Sequence, residues 1–300
     1  MKILKLLGLW IVLALHVNFA HAENFVTFKG DVVEFKVTSF SDYMPFGYLN
    51  EEGRSDDKLA SVFRKSLQEF LPKIGYKPVF EIFETTDDAL QSIHMGKINL
   101  FIGAYYSTHI YDDFEFAYPA LLNNPVHLMM LPRRLNEVHN VSDLKNLKGV
   151  YSAKEYFADY IIQKFEALSL KKLESEQEAY KALITGEADF ILGSYYTNYI
   201  KVVQTGLKNY IAFSSKPLWN MPMFLALSKM TPNLKIVKNR LQKLLDSEEF
   251  KKDVIQSMKD YVTEIEKNAI GVVPPTYVNE QMRAQNTLTP ADEQKLSKEE

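Results

Sequence analysis

The residues best suited to hold a small molecule come in two matched sets. Gly96-Lys-Ile-Asn-Leu-Phe-Ile-Gly-Ala-Tyr-Tyr106 and Gly186-Glu-Ala-Asp-Phe-Ile-Leu-Gly-Ser-Tyr-Tyr196 follow one pattern: glycine, polar corner, apolar run, glycine, small residue, tyrosine pair. A tyrosine ring packs flat apolar or sugar-like surfaces and attracts cations, and its hydroxyl both donates and accepts. Tyr105, Tyr106 and Tyr195 are therefore candidate ligand contacts, and Trp219 joins them from a proline-rich segment. Asp112, Asp113, Glu155 and His109 are the groups near these sets that acid–base chemistry would recruit. Metal chemistry is poorly supported: His94, His109, His127 and His139 do not pair at helical spacing, and the chain has 0 cysteines. Neither a Gly-x-Ser-x-Gly elbow nor a phosphate-cradling glycine loop of the Walker type occurs. No cofactor is expected, and the chain is read as a binding protein rather than an enzyme.

Each set needs a scaffold that brings its tyrosines to an edge. An amphipathic helical segment precedes each one, Asp87–Ile93 in the first case and Glu178–Ile184 in the second. Helix, glycine stop and apolar strand, written twice, predict two similar α/β lobes. In open α/β sheets ligands bind beyond the carboxyl ends of the strands, which is where both tyrosine pairs fall. Around these units the periodicity predicts strands at Val32–Thr38, Tyr76–Phe83, Tyr210–Phe213 and Met223–Leu227, and helices at Leu59–Leu71, Glu155–Phe165, Leu234–Leu245 and Glu248–Met258. Ser247 is the expected N-cap of the last helix. Phe116–Pro119 followed by Val126–Leu131 reads as a segment crossing from one lobe to the other. Residues 287–300 are rich in lysine and glutamate and are expected to be disordered.

The 300 residues suffice for two lobes, and 46% hydrophobic with 24% charged residues describes a water-soluble chain able to bury a core. A net charge of -3 and scattered basic residues argue against nucleic acid. Lys2 and Lys5, the apolar run Leu6–Val17 and the small-x-small triplet Ala20-His21-Ala22 form a secretory signal peptide, residues 1–22, cleaved after Ala22. The run is too short for a membrane span, which needs about 20 apolar residues. With no cysteine to carry a lipid, an exported chain is retained only by an enclosing compartment, so the bacterial periplasm is predicted, with free secretion as the alternative.

Taken in order, several segments resemble the type II periplasmic solute-binding proteins, in particular the group serving polar amino-acid uptake. They are Asp42-Tyr43-Met44-Pro45-Phe46, Ala89-Leu90 through Gly96-Lys97-Ile98-Asn99, Phe114–Pro119, Leu144–Gly149 and Gly186-Glu187-Ala188-Asp189. The resemblance covers about residues 30–262. It implies a two-lobed α/β fold of the Venus-flytrap kind with two hinge crossings: lobe 1 from 23–120 plus 220–270, lobe 2 from 121–219, and a C-terminal extension at 271–300. It also implies a monomer that closes on a small ligand and hands it to an inner-membrane ABC permease, without membrane insertion of its own.

By the same resemblance Tyr43 is a stacking position, and Ser107, Thr108, Ser152 and Ser194 line the cleft with hydroxyls. Two departures bear on the ligand. The arginine that forks onto an amino acid's carboxylate falls at Ile110 or Tyr111, and the aspartate that holds its ammonium falls at Ser194. A zwitterion would leave charge unpaired at both ends. A neutral polar or aromatic ligand, or a weakly cationic one, is expected in a tyrosine-rich, hydroxyl-lined cleft. The alternatives are a sensing or accessory interaction module of the same fold, docking through Pro274–Tyr277 and the tail, and a dehydratase-like periplasmic enzyme.

Overall fold

The computed structural model describes residues 31–41, 43, 45–47, 62–106, 114–135, 138, 140–155 and 163–278. The predicted signal segment and the polar tail at 287–300 lie outside the described residues, as do Ser107 and Thr108. Among the described residues no helix is long and apolar enough to cross a membrane.

The chain builds one 9-stranded sheet of order β2-β1-β3-β9-β4-β7-β5-β6, with β8 pairing β4. The strands are β1 Val33–Ser39, β2 Tyr76–Phe80, β3 Leu100–Tyr105, β4 Phe114–Met130, β5 Gly149–Ser152, β6 Lys171–Leu173, β7 Phe190–Ser194, β8 Ala212–Phe213 and β9 Trp219–Ser228. The helices are α1 Val62–Phe70, α2 Thr86–His94, α3 Pro132–Leu135, α4 Glu176–Thr185, α5 Tyr195–Gln204, α6 Leu234–Asp246 and α7 Glu248–Asn268.

The sheet has matching ends. At one end β1 is parallel to β2 and β3, and β3 is antiparallel to β9. At the other β5 is parallel to β6 and β7, and β7 is antiparallel to β4. The long strands β4 and β9 pair with each other between the two halves. The predicted crossing at Phe116–Leu131 is therefore a single 17-residue strand with a cis Tyr118–Pro119 bond inside a register irregularity.

The internal repeat extends to individual hydrogen bonds. In the first half Asn99 donates its amide to Lys36 O at 2.9 Å, and its Oδ1 accepts from Lys36 N at 2.9 Å. In the second half Asp189 donates its amide to Lys148 O at 2.8 Å, and its Oδ2 accepts from Lys148 N at 2.8 Å. Each polar corner thus clasps the backbone at or beside its parallel neighbour. Each preceding helix has a capped start: Thr85 accepts from Asp88 N and Ser175 accepts from Glu178 N.

One difference separates the repeats. Gly103 sits at φ 79 and coincides with a register shift between Ile102 and Ala104. This bulge needs a left-handed residue and adds one position to the strand, so the alternation of sides slips by one. Tyr105 then takes the inward place that Ser194 holds in the unbulged β7.

Packing supplies the third element of the architecture. One hydrophobic cluster runs through both halves, and a second, around Tyr180, Leu183 and Ile191, lies in the second half alone. The 21-residue α7 is longer than the sequence pattern suggests and touches both halves. Near its start Phe250 meets Phe70 at 5.3 Å and Glu249 pairs with Lys73 at 3.2 Å. Near its end Glu266 accepts from Tyr199 and pairs with Lys208 at 2.9 Å. The chain then packs onto the second half, where Val278 is buried in the local cluster and Tyr277 lies against it. Ser247 caps α7 as expected, accepting from Phe250 N.

Candidate functional site

Two pairs of strands, β1 with β3 and β5 with β7, each parallel within the pair and the pairs antiparallel to each other, end around one buried polar cluster. Tyr43 lies in the loop after β1, Tyr105 at the end of β3, Glu155 just past β5 and Ser194 at the end of β7. Asn124 from β4 and Asn198 from the first turns of α5 complete it. All six side chains are buried.

The hydroxyls form a directed chain. Asn124 Nδ2 donates to Tyr105 Oη at 2.8 Å and to Tyr43 Oη at 3.2 Å. Tyr105 donates to Tyr43 at 3.3 Å, Tyr43 to Ser194 Oγ at 2.9 Å, and Ser194 to Glu155 Oε2 at 2.9 Å. Tyr43 Oη also lies 3.3 Å from Glu155 Oε2. The other carboxylate oxygen, Oε1, accepts from Ser194 N at 3.1 Å and from Asn198 Nδ2 at 2.6 Å. Asn198 is itself fixed by donating to Ser194 O at 2.8 Å and accepting from Tyr180 Oη at 2.9 Å.

The local backbone explains how a carboxylate reaches this depth. Ser152 Oγ accepts from Lys154 N at 3.1 Å, and Glu155 N donates to Ser152 O at 3.2 Å, so a tight turn after β5 aims Glu155 inward. Gly193 leaves the space: a Cβ there would stand 2.8 Å from Glu155 Oε1 and 2.6 Å from Asn198 Nδ2.

Electrostatics sets this carboxyl apart. Burial, with the nearby Glu176 carboxylate adding to it, pushes the Glu155 pKa up to about 7 against the pull of the Asn198 and Ser194 hydrogen bonds. Burial also raises Tyr43 and Tyr105, so both hydroxyls stay protonated donors. Among the described residues Glu155 has no ion-pair partner; the neighbouring Lys201 is engaged with Glu176 at 3.1 Å. Asn124 Oδ1 is buried and has no hydrogen-bond partner. No group of His, Asp and Glu among the described residues is arranged to hold a metal.

Of the residues picked out from sequence, Tyr43, Tyr105 and Ser194 converge in this cluster. Ser152 sits behind it as part of the turn that carries Glu155. Tyr106 is exposed, packing on Phe116 at 5.2 Å and Phe224 at 6.3 Å. Tyr195 opens α5 and stacks on Tyr199 at 5.4 Å, with His127 at 5.0 Å. Trp219 is half-buried under the Lys164 ammonium, 3.6 Å from its ring centre. Sequence reasoning weighed Glu155 only as an acid or base and passed over Asn124 and Asn198. The available signal was spacing: Asn198 lies one helical turn after Ser194, on the same face.

No family model matches the sequence, and no curated protein matches it. Solved structures do resemble the fold. An amino acid ABC transporter substrate-binding protein from Streptococcus pneumoniae bound to L-arginine aligns with TM-score 0.57 and 15% identity over 77% of this chain and 94% of its own. A histidine kinase sensor domain with similarity to periplasmic binding proteins aligns with TM-score 0.55 and 12% identity over 81% and 99%. The ancestral amino-acid-binding protein AncCDT-1, a precursor of cyclohexadienyl dehydratase, aligns with TM-score 0.56 and 14% identity over 76% and 95%. The chain has the α/β fold of type II periplasmic binding proteins, as its sequence motifs imply.

Proposed function

We propose that this chain is a solute-binding protein that captures a small ligand by closing its two halves, then presents it to an ABC-type importer. The reading places it in the periplasm after removal of residues 1–22. Its lobes would be 23–120 plus 220–270 and 121–219, swinging about β4 and β9.

One observation carries the reading. Tyr43, Tyr105, Glu155 and Ser194 arrive from the carboxyl ends of two parallel strand pairs, one pair in each half and the pairs opposed, and meet in one polar cluster. That is where α/β sheets place ligands, and contacts from both halves are what makes a ligand favour closure. Among the described residues the cluster has hydroxyls, amides and one carboxylate but no arginine fork, so the ligand is read as a small molecule without a carboxylate. The solved structures with this fold include amino-acid carriers, which supports capture over turnover.

A sensing module is the second reading, favoured by the way α7 and the segment after it tie the halves together. The test is thermal unfolding and calorimetric titration of the exported chain against polyamines, monoamines, sugars, nucleosides, aromatic acids and amino acids. A ligand at 100 times its dissociation constant adds about 2.7 kcal/mol, a midpoint rise of roughly 5–10 °C. Saturable binding without consumption of the ligand supports a carrier, whereas turnover would establish an enzyme. Absence of binding across every class would remove the carrier reading.

A further inference from the structure

We infer that the cluster is a cation site: Glu155 is the anion that takes a small organic ammonium ligand, one lacking a carboxylate, in place of the Tyr43 hydroxyl. This rests on the solute-binding reading and deepens it.

The argument begins with what the site lacks. A carboxylate with only neutral donors around it is stabilised incompletely in a buried place, and a cation completes the pairing. The partners of Glu155, Ser194, Asn198, Asn124 and Tyr105 among the described residues include no lysine, arginine or histidine. Lys201 is held away by Glu176.

The second observation is independent. Asn124 Oδ1 is a fully buried acceptor with no partner, on an amide that lies 3.2 Å from the Tyr43 hydroxyl. An unpaired buried acceptor costs about 1–3 kcal/mol, and a donor-rich ligand relieves it. At the place of the Tyr43 hydroxyl Glu155 Oε2 and Ser194 Oγ are acceptors for an ammonium, and rotation of the Asn124 amide, whose Nδ2 faces that hydroxyl, brings Oδ1 in as the third. The aromatic rings of Tyr43 and Tyr105, 6.2 Å apart and edge to face, supply walls that favour a cation.

Geometry gives the order of events. Tyr43 belongs to the half carrying β1, and Glu155 with Ser194 to the half carrying β5 and β7. Separating the halves withdraws the Tyr43 hydroxyl from Ser194 and bares the carboxylate. The ammonium docks on Glu155, and closure returns the Tyr43 ring over it. Glu155, with no arginine beside it among the described residues, rejects a ligand carboxylate at this spot.

The experiment titrates the full exported chain, by calorimetry and thermal unfolding, with putrescine, tyramine and ethanolamine beside their neutral counterparts 1,4-butanediol, 4-ethylphenol and ethylene glycol. The expected result is binding of at least one amine with its neutral counterpart about 100-fold weaker or silent. Glu155→Gln, close to isosteric and checked for folding by circular dichroism, is expected to abolish that preference, again by about 100-fold. Tyr43→Phe keeps the ring and removes the competing hydroxyl, and is expected to tighten amine binding several-fold; unchanged or weaker binding would overturn the exchange of ammonium for hydroxyl. A neutral sugar or aromatic that binds equally well to the parent and to Glu155→Gln would overturn the cation site while leaving the carrier reading intact. Amine binding unaffected by Glu155→Gln would also overturn it. Silence from these amines and from every other ligand class would overturn both.

Discussion

Tyr43 and Ser194 lie 151 residues apart in the chain and share a 2.9 Å hydrogen bond across the middle of the sheet. One follows the first strand of the first half; the other ends the repeat strand of the second. This contact joins the halves directly and relays donation from Tyr105 to Glu155. A second crossing contact, the Phe46 ring edge-on to Tyr196 at 6.2 Å, lies close by in both segments.

Removing the relay has a defined cost. Tyr43→Phe leaves Tyr105 and Asn124 without one acceptor and Ser194 without one donor, at nearly unchanged volume. The expected loss is about 1–2 kcal/mol in urea unfolding. A variant as stable as the parent would mean that this hydrogen bond does not hold the halves together.

Stability should depend on pH through Glu155. Its carboxyl titrates near 4.5 when unfolded and at about 7 when folded, so between these values the folded chain holds a proton that the unfolded chain has released. Its contribution is therefore fully present below pH 4.5 and is lost as pH rises through about 7, a fall of about 3 kcal/mol from this group. Urea midpoints of the parent and Glu155→Gln at pH 5 and pH 7.5 isolate the effect. The parent should lose more than the variant across that interval, and equal losses would assign Glu155 an ordinary pKa.

Gly193→Ala tests whether the glycine exists for the carboxylate. The new methyl would meet Glu155 Oε1, Asn198 Nδ2 and Met129 Cε, all under 3.0 Å. The expected cost is about 1–3 kcal/mol by denaturant unfolding. Combining it with Glu155→Ala should recover part of that loss, because one of the three clashing atoms is then gone.

Glu176 and Lys201 form a buried pair at 3.1 Å beside the cluster. Lys201→Met strands the Glu176 carboxylate near Glu155 and is expected to cost about 3–5 kcal/mol. Glu176→Gln with Lys201→Met should restore most of it. If the single and the double variants are equally destabilised, packing of the lysine stem rather than charge is the source.

The repeat was the most legible part of the fold. Two copies of one pattern predicted two equivalent units, and the structure carries the equivalence down to the clasps of Asn99 on Lys36 and Asp189 on Lys148. Of the residues in the buried cluster, Tyr105 was legible from the repeat and Tyr43 and Ser194 from the family resemblance. What breaks the symmetry was not: the Gly103 bulge turns Tyr105 inward, and a left-handed glycine is indistinguishable in sequence from any other. Asn198 was missed, and Glu155 read only as an acid or base, for a related reason. They meet Ser194 only once β5 and β7 lie side by side and α5 starts immediately after the strand, which is a tertiary fact. The length of α7 was underestimated because its second part faces the other half, and the stripe that faces α1 gives no sign of that.

That helix changes what closure can mean. Two adjacent strands alone form a door hinge, free to swing about a line between them. With α7, about 31 Å long, braced on α1 at one end and on α5 at the other, and with Val278 seated in the far core, the molecule is closer to a braced frame. A frame with a diagonal strut swings only as far as the strut slides, bends or lets go. The Tyr199–Glu266 and Lys208–Glu266 contacts are where this strut is fastened to the second half, and both are surface-side polar bonds rather than packed core. On the proposed carrier reading, opening would be resisted at these two Glu266 contacts on the outside of the molecule and at the buried Val278.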